Sequence, residues 1–156
     1  MTSRSRVYRG TKAHTATYRS GLEKTNAALL QKAGQPVIYE QYAIPYVVPS
    51  RNATYTPDFV LANGIIVETK GIFDAADRKK HQLIQEQFPE LDIRFVFSNS
   101  KSKIYKGSKT TYGDWCEKNG LMYADKLIPL EWLKESKSGR VDPYTILKPK
   151  KTGGTL

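Results

Sequence analysis

The chain has a single cysteine, Cys116, so no internal disulfide can form and a reducing cytoplasm is the expected setting. Long apolar runs are missing too. Nothing approaches the roughly 18 uncharged apolar residues that a spanning helix needs, which argues against a membrane protein. The opening Met1-Thr-Ser-Arg-Ser-Arg-Val-Tyr-Arg has charge but no apolar segment behind it, so no secretory signal is expected. Its Arg/Ser-rich composition is shared with organellar transit peptides, but the stretch is short and poorly amphipathic. There is no Gly-rich phosphate loop, no zinc-ligand spacing and no Ser/His/Asp signature.

Acidic residues are also scarce: 15 against 25 lysines and arginines, a net charge of +10 over 156 residues. Such an excess attracts polyanions, nucleic acid before all others. The distribution sharpens this. The first 22 residues carry Arg4, Arg6, Arg9, Lys12 and Arg19 and no acid. Lys101, Lys103, Lys106 and Lys109 are interleaved with Tyr105 and Tyr112, and Lys148, Lys150 and Lys151 come near the end. Basic clusters with nearby aromatics suit phosphate contact together with packing on sugar or base.

Apolar residues make up 39% of the chain, enough for one compact core, either alone or with mobile tails. Residues 1–17 read as a flexible basic arm, 18–135 as one domain and 136–156 as a flexible basic tail. The pattern predicts a helix from Gly21 to Lys32, with Ser20 as N-cap and an apolar stripe of Leu22, Ala28, Leu29 and Ala33. Val37 to Val48 should be extended, with Pro45 and Pro49 forcing it off the sheet or along its edge. Asn63-Gly64 between two apolar runs predicts a hairpin. Further helices are expected over Ala75–Gln87, Tyr112–Asn119 and Pro129–Lys134, with strands at Ile93–Phe97 and Leu121–Ala124. Strands interspersed with helices imply an α/β or α+β sandwich around a small mixed sheet.

The hairpin carries the chemistry. Ile66, Glu68 and Lys70 point to one face of its second strand, so an acid and a lysine stand side by side. Asp58 on the partner strand can lie close enough to share a metal with Glu68. A hard cation such as Mg²⁺ takes a few carboxylates and keeps sites open for phosphate oxygens, while a nearby lysine can neutralise developing charge. Taken singly, each of these residues is more ordinarily a solvated surface charge. The apolar context of Phe59, Val60 and Ile65–Val67 places them near a core, where charge is costly unless paired or metal-bound. Ser20-x-x-Glu23 is a capping-box pattern, which leaves Glu23 either a cap or a metal ligand. His81, in the run Arg78-Lys79-Lys80-His81, reads as solvated or DNA-facing. His14 falls in the arm, and Cys116 reads as packing.

Pro57-Asp58, nine further residues and Glu68-Thr69-Lys70 resemble the PD-(D/E)xK pattern of restriction-endonuclease-like nucleases. More of the chain joins in: Arg19-Ser20-Gly21-Leu22-Glu23, Tyr55-Thr56-Pro57-Asp58-Phe59, Asn63-Gly64-Ile65, Val67-Glu68-Thr69-Lys70-Gly71, Asp77-Arg78-Lys79-Lys80-His81 and Ala124-Asp125-Lys126-Leu127-Ile128-Pro129. From about Tyr18 to about Lys134 these segments closely resemble the phage endonuclease I family, Holliday-junction-resolving enzymes of phages of the T-seven type. The resemblance implies a restriction-endonuclease-like α/β fold with a central mixed sheet flanked by helices. It also implies an intertwined homodimer in which residues 18–44 are swapped onto the partner across a bridge at 45–54. Glu23 would then be a catalytic acid completing the partner's site. Asp58 would bridge two Mg²⁺ or Mn²⁺ ions, Glu68 and the Thr69 carbonyl would assist, and Lys70 would hold the attacking water. The implied activity is hydrolysis of branched DNA, four-way junctions above all, to 5′-phosphates, in phage recombination, replication and packaging. Arg6, Arg9, Lys12, Arg19, Arg78, Lys79, Lys80, Lys101, Lys103, Lys106 and Lys109 are the expected DNA contacts. A sequence-specific endonuclease of the same fold and a non-catalytic branched-DNA-binding protein are the alternatives.

Overall fold

The computed structural model describes residues 17–150, so all but the last residue of the arm expected at 1–17, with Arg6, Arg9, Lys12 and His14, lies outside the described residues, as does Lys151. In chain order the elements are α1 (Gly21–Lys32), β1 (Tyr42–Val48), β2 (Arg51–Tyr55), β3 (Phe59–Val60), β4 (Ile66–Lys70), α2 (Ala75–Gln87), β5 (Ile93–Phe97), α3 (Tyr112–Lys118), β6 (Tyr123–Asp125), α4 (Leu130–Lys134) and β7 (Lys148–Pro149). The architecture is α/β. A mixed sheet runs β3-β4-β5-β6, with β3 antiparallel to β4 and the other neighbours parallel.

The two faces of this sheet bury different clusters, because successive strand residues point opposite ways. Ile65, Val67 and Val96 meet Ala27 and Leu30 of α1 and Trp132 of α4 on one side. Ile66, Phe95 and Phe97 meet Leu83 and Ile84 of α2 and Trp115 of α3 on the other. With both faces covered, β4 and β5 are buried along almost their whole length, although β4 turns polar from Glu68 onward. Among the described residues no helix is long and apolar enough to cross a membrane.

The expected hairpin forms, in register Phe59↔Val67 and Val60↔Ile66. Gly64 takes φ +93°, a conformation that L side chains rarely adopt. Asn63 holds the turn by another route. Its side-chain amide donates to the carbonyls of Trp132 (2.7 Å) and Glu135 (3.1 Å), anchoring the C-terminal segment.

Three expectations are corrected. Helix α1 has the predicted bounds, but its buried face is Glu23, Asn26, Ala27 and Leu30, whereas Ala28 and Ala33 are exposed. The inward turn is fixed by Asn26, which donates to the Leu22 and Lys126 carbonyls and accepts from the Ile128 amide. Residues 37–41 are not regular strand. Only a single bridge joins Tyr39 to Phe59, and Glu40 sits at φ +50°. β1 lies instead in a separate sheet, β2-β1-β7, where β7 pairs with Tyr42 and Ala43, so among the described residues no strand lies beside that edge of β1 from Pro45 onward.

The third correction concerns the tail expected after Ser136, which is ordered packing as far as residue 150. A 3₁₀ turn at Pro143–Thr145 leads into β7, and Leu147 is buried. Arg94 on β5 explains part of this. Its nearly buried guanidinium pairs with Asp92 (2.8 Å) and Glu135 (2.6 Å), and Arg140 bridges the same two acids at 3.0 Å each. A buried cation needs such full pairing, and here the pairing docks the C-terminal segment on the sheet.

Candidate active site

Five charged side chains gather where the end of β4 meets α1 and the chain leading into β3. Asp58 immediately precedes β3 and is 2% exposed. Its Oδ2 accepts hydrogen bonds from the Thr69 amide (2.9 Å) and the Thr69 hydroxyl (2.7 Å). The antiparallel register that pairs Phe59 with Val67, continued by one residue, sets Asp58 across from Glu68 and next to Thr69. Glu23 reaches Asp58 from α1. One carboxylate oxygen each from Glu23, Glu40 and Asp58 lie within 4.8 Å of one another.

The capping box that the Ser20-x-x-Glu23 spacing allows forms only on the Ser20 side. The Ser20 hydroxyl does cap α1, accepting from the Glu23 amide at 3.1 Å. The Glu23 carboxylate accepts instead from the Arg19 amide (2.9 Å) and from Tyr39 Oη (2.6 Å). It is therefore buried and aimed at the acidic cluster, within the same chain as Asp58. The Arg19 guanidinium pairs with Glu40 and lies 4.0 Å from Asp58 Oδ1, a cation against the three acids.

Glu68 and Lys70 share a face as the strand period requires, with Oε2 and Nζ 3.6 Å apart. Tyr55, at the end of β2, donates from Oη to Glu68 Oε1 at 2.7 Å. Lys70 Nζ also donates to Asp77 in the first turn of α2 at 3.2 Å, and Lys80 lies 3.7 Å from the same acid.

Electrostatics bind the two groups into one site. Burial pushes the Asp58 carboxyl up to about 6, with Glu23 and Glu40 adding to the rise and the Thr69 hydrogen bonds opposing it. Burial and the nearby Asp58 push Glu68 up to about 8, against the pull of Lys70 and the Tyr55 hydroxyl. For Lys70, burial favours loss of the proton, but Glu68 and Asp77 outweigh it and its pKa is raised. The ammonium is thus kept charged beside carboxylates that lack enough positive charge to be comfortably ionised.

That deficit of positive charge suits a metal. Buried carboxylates crowded together, with oxygen donors only, suit a hard divalent cation, which would supply the missing charge. Asp58, Glu68 and Glu23 fit that role by their chemistry.

The remaining expected residues are distributed as follows. Lys79, Lys101, Lys103, Lys106 and Lys109 are exposed. Arg78 is turned partly inward, where its Nη1 donates to the carbonyls of Phe73 (2.6 Å) and Ile104 (3.1 Å) and ties the loop after β4 to the basic loop 98–111. His81 is neither solvated nor outward-facing. It is 2% exposed, packed edge-on to Tyr55 and Phe95, and its Nε2 has no hydrogen-bond partner. A cavity of about 220 Å³ lies beside it, lined by Gln85, Phe88, Ile93, Leu121 and Met122 among others, and none of the clustered acids borders it.

Glu40, Tyr55 and Asp77 are the residues that the sequence reading missed. Nothing local marks Glu40, whose placement depends on a left-handed backbone. Asp77 and Tyr55 do fall inside the motif blocks, and Tyr55 could have been found from strand alternation had β2 been recognised.

The chain is 56% identical over 133 residues to "Endonuclease I" of Escherichia phage T7, covering 85% of this chain and 88% of that protein. It is 55% identical over 134 residues to "Endodeoxyribonuclease 1" of Enterobacteria phage T3, covering 86% and 87% respectively. The family model described as Phage endonuclease I matches residues 3–153, nearly the whole length, and the chain belongs to that family.

Proposed function

We propose that this protein is a structure-selective DNA endonuclease that hydrolyses phosphodiesters in four-way junctions and other branched DNA, leaving 5′-phosphates and 3′-hydroxyls. The observation that carries the reading is the run of buried carboxylates, Glu23 clustered with Asp58 and Asp58 acting on Glu68, beside a Lys70 that is kept charged. Family membership supports a nuclease, and the relatives' names speak of DNA.

Asp58, Glu68, Glu23 and the Thr69 carbonyl would hold the divalent cation, Mg²⁺ or Mn²⁺, with two ions per site. When bound, such a cation supplies positive charge to a phosphoryl oxygen and makes a bound water more acidic. Asp58 is pre-set for this work, because Thr69 fixes one of its oxygens and leaves the other toward the cluster. Lys70, held by Asp77 and Glu68, orients water and neutralises charge that develops on the phosphoryl group. The exposed lysines of loop 98–111, with Lys79 and Lys80 on α2, supply phosphate contacts that position DNA without reading its sequence.

The working unit is a homodimer, since paired symmetric cuts across a junction call for a two-fold axis. In it the β1–β2 hairpin opens at Pro49-Ser50 and residues 18–44 exchange between copies, each making on the other the contacts seen here within one chain. The short turn and the partly unpaired edge of β1 support this reading.

The test is incubation of the purified protein with a synthetic four-way junction and with a linear duplex of the same arms, with and without Mg²⁺. Symmetric cuts in the junction, dependent on Mg²⁺, are expected. Preferential cutting of the duplex at a fixed sequence would make it a sequence-specific enzyme instead. Junction binding with no cut under any metal would make it a non-catalytic binding protein.

A further inference from the structure

We propose that Tyr55 is a positioning residue of the active site, fixing through its phenol the oxygen of Glu68 that faces away from Lys70. The inference rests on the endonuclease reading and concerns how Glu68 is presented to a cation. The two carboxylate oxygens of Glu68 have different partners: Oε1 accepts from Tyr55 Oη at 2.7 Å, and Oε2 lies 3.6 Å from Lys70 Nζ. The terminal torsion of a glutamate is broad, so an unpartnered carboxylate would be poorly fixed about it. A donor on one oxygen removes that freedom and leaves the other to the reaction.

Tyr55 can impose this constraint because it is itself immobilised. It is 1% exposed, the His81 ring meets it edge-on at 4.9 Å, and Lys80 Nζ lies 5.3 Å from its ring centroid. His81 is wedged in turn against Phe95 of β5 at 4.7 Å, so the support runs from the core of the sheet to the site. A tyrosine that merely packs also needs an acceptor for its buried hydroxyl. In that case loss of the hydroxyl would change stability and leave cation binding alone. Groups that hydrogen-bond a ligating side chain behave otherwise, and their loss commonly weakens metal binding or activity by about 10–100-fold.

The experiment compares Tyr55→Phe with the unmodified protein in three readouts: Mn²⁺ affinity by calorimetry without DNA, single-turnover junction cleavage at saturating Mn²⁺, and unfolding by urea. Mn²⁺ affinity is expected to fall about 10–100-fold and the saturating rate about tenfold, with junction affinity unchanged. His81→Phe serves as the control, because it alters the packing under the ring but keeps the hydroxyl. It should hold Mn²⁺ affinity within about threefold. Unchanged Mn²⁺ affinity in Tyr55→Phe, or an equal loss in both variants, overturns the proposal. If the unmodified protein cleaves no junction, the endonuclease reading fails, and the calorimetry still decides the role of Tyr55.

Discussion

Glu23 and Tyr39 are joined by a 2.6 Å hydrogen bond from the phenol to the carboxylate, although Glu23 lies in α1 and Tyr39 beyond its end. Together with the Arg19 amide just before the helix, the bond holds the acid beside Asp58 and Glu40. Burial and the Glu23 charge together raise the Tyr39 phenol, so it stays a donor at any working pH.

Replacing Glu23 therefore separates structure from chemistry. Glu23→Ala leaves the Arg19 amide and the Tyr39 hydroxyl without their acceptor, a loss of about 1–3 kcal/mol measured by urea unfolding. Junction cleavage should fall by at least about 100-fold, more than that destabilisation explains. A variant that keeps normal cleavage would return Glu23 to a purely structural role.

The raised carboxyls make metal-free stability depend on pH in a definite direction. Glu68 titrates near 8 when folded, against an ordinary value of 4.5, so its contribution is fully present below 4.5 and is lost as pH rises through 8. Asp58 behaves likewise from 3.8 up to about 6. Thermal melts without metal should fall between pH 6.5 and 8, by at most about 1.4 kcal/mol per pH unit. Glu68→Gln should flatten this slope, and Mn²⁺ should stabilise the unmodified protein most at the upper end. A slope equally steep in Glu68→Gln would assign it to another group.

His81 acts with the opposite sign. Burial, reinforced by Lys80 and Lys70, holds its pKa well below 6.5, so its contribution is complete above 6.5 and is lost as pH falls. His81→Phe should lessen acid destabilisation, seen as a smaller drop in melting temperature between pH 6.5 and 5. An unchanged acid limb would mean that His81 takes up its proton equally in the folded and unfolded chain.

Asn26 is buried with three hydrogen bonds, two of which link α1 to the segment before α4. Asn26→Ala should cost about 2–4 kcal/mol, because buried backbone groups lose their partners. Urea midpoints would measure this, and a loss below about 0.5 kcal/mol would mean water replaces the side chain at little cost.

Mixing inactive Glu23→Ala and Asp58→Ala chains, unfolded and refolded together, tests the exchange of residues 18–44. Exchange should restore one intact centre per mixed dimer, and hence measurable cleavage. Mixed dimers without activity would keep Glu23 and Asp58 on one chain, as in the arrangement described above.

The sequence alone settled what depends on neighbours along the chain. Strand alternation placed Glu68 beside Lys70, Asn63-Gly64 set the hairpin that carries Asp58, and Ser20 set the start of α1. What it misread were polar residues whose burial depends on distant partners. Asn26 looks like the outer face of α1 until Lys126 and Ile128 receive it, while Glu23 stays either cap or ligand by its spacing until Tyr39 is placed beside it. Likewise His81 looks like part of a basic run until Tyr55 and Phe95 enclose it. Only the tertiary structure could decide these, because a polar group's place is fixed by the acceptor or donor waiting for it, and those partners came from up to 102 residues away.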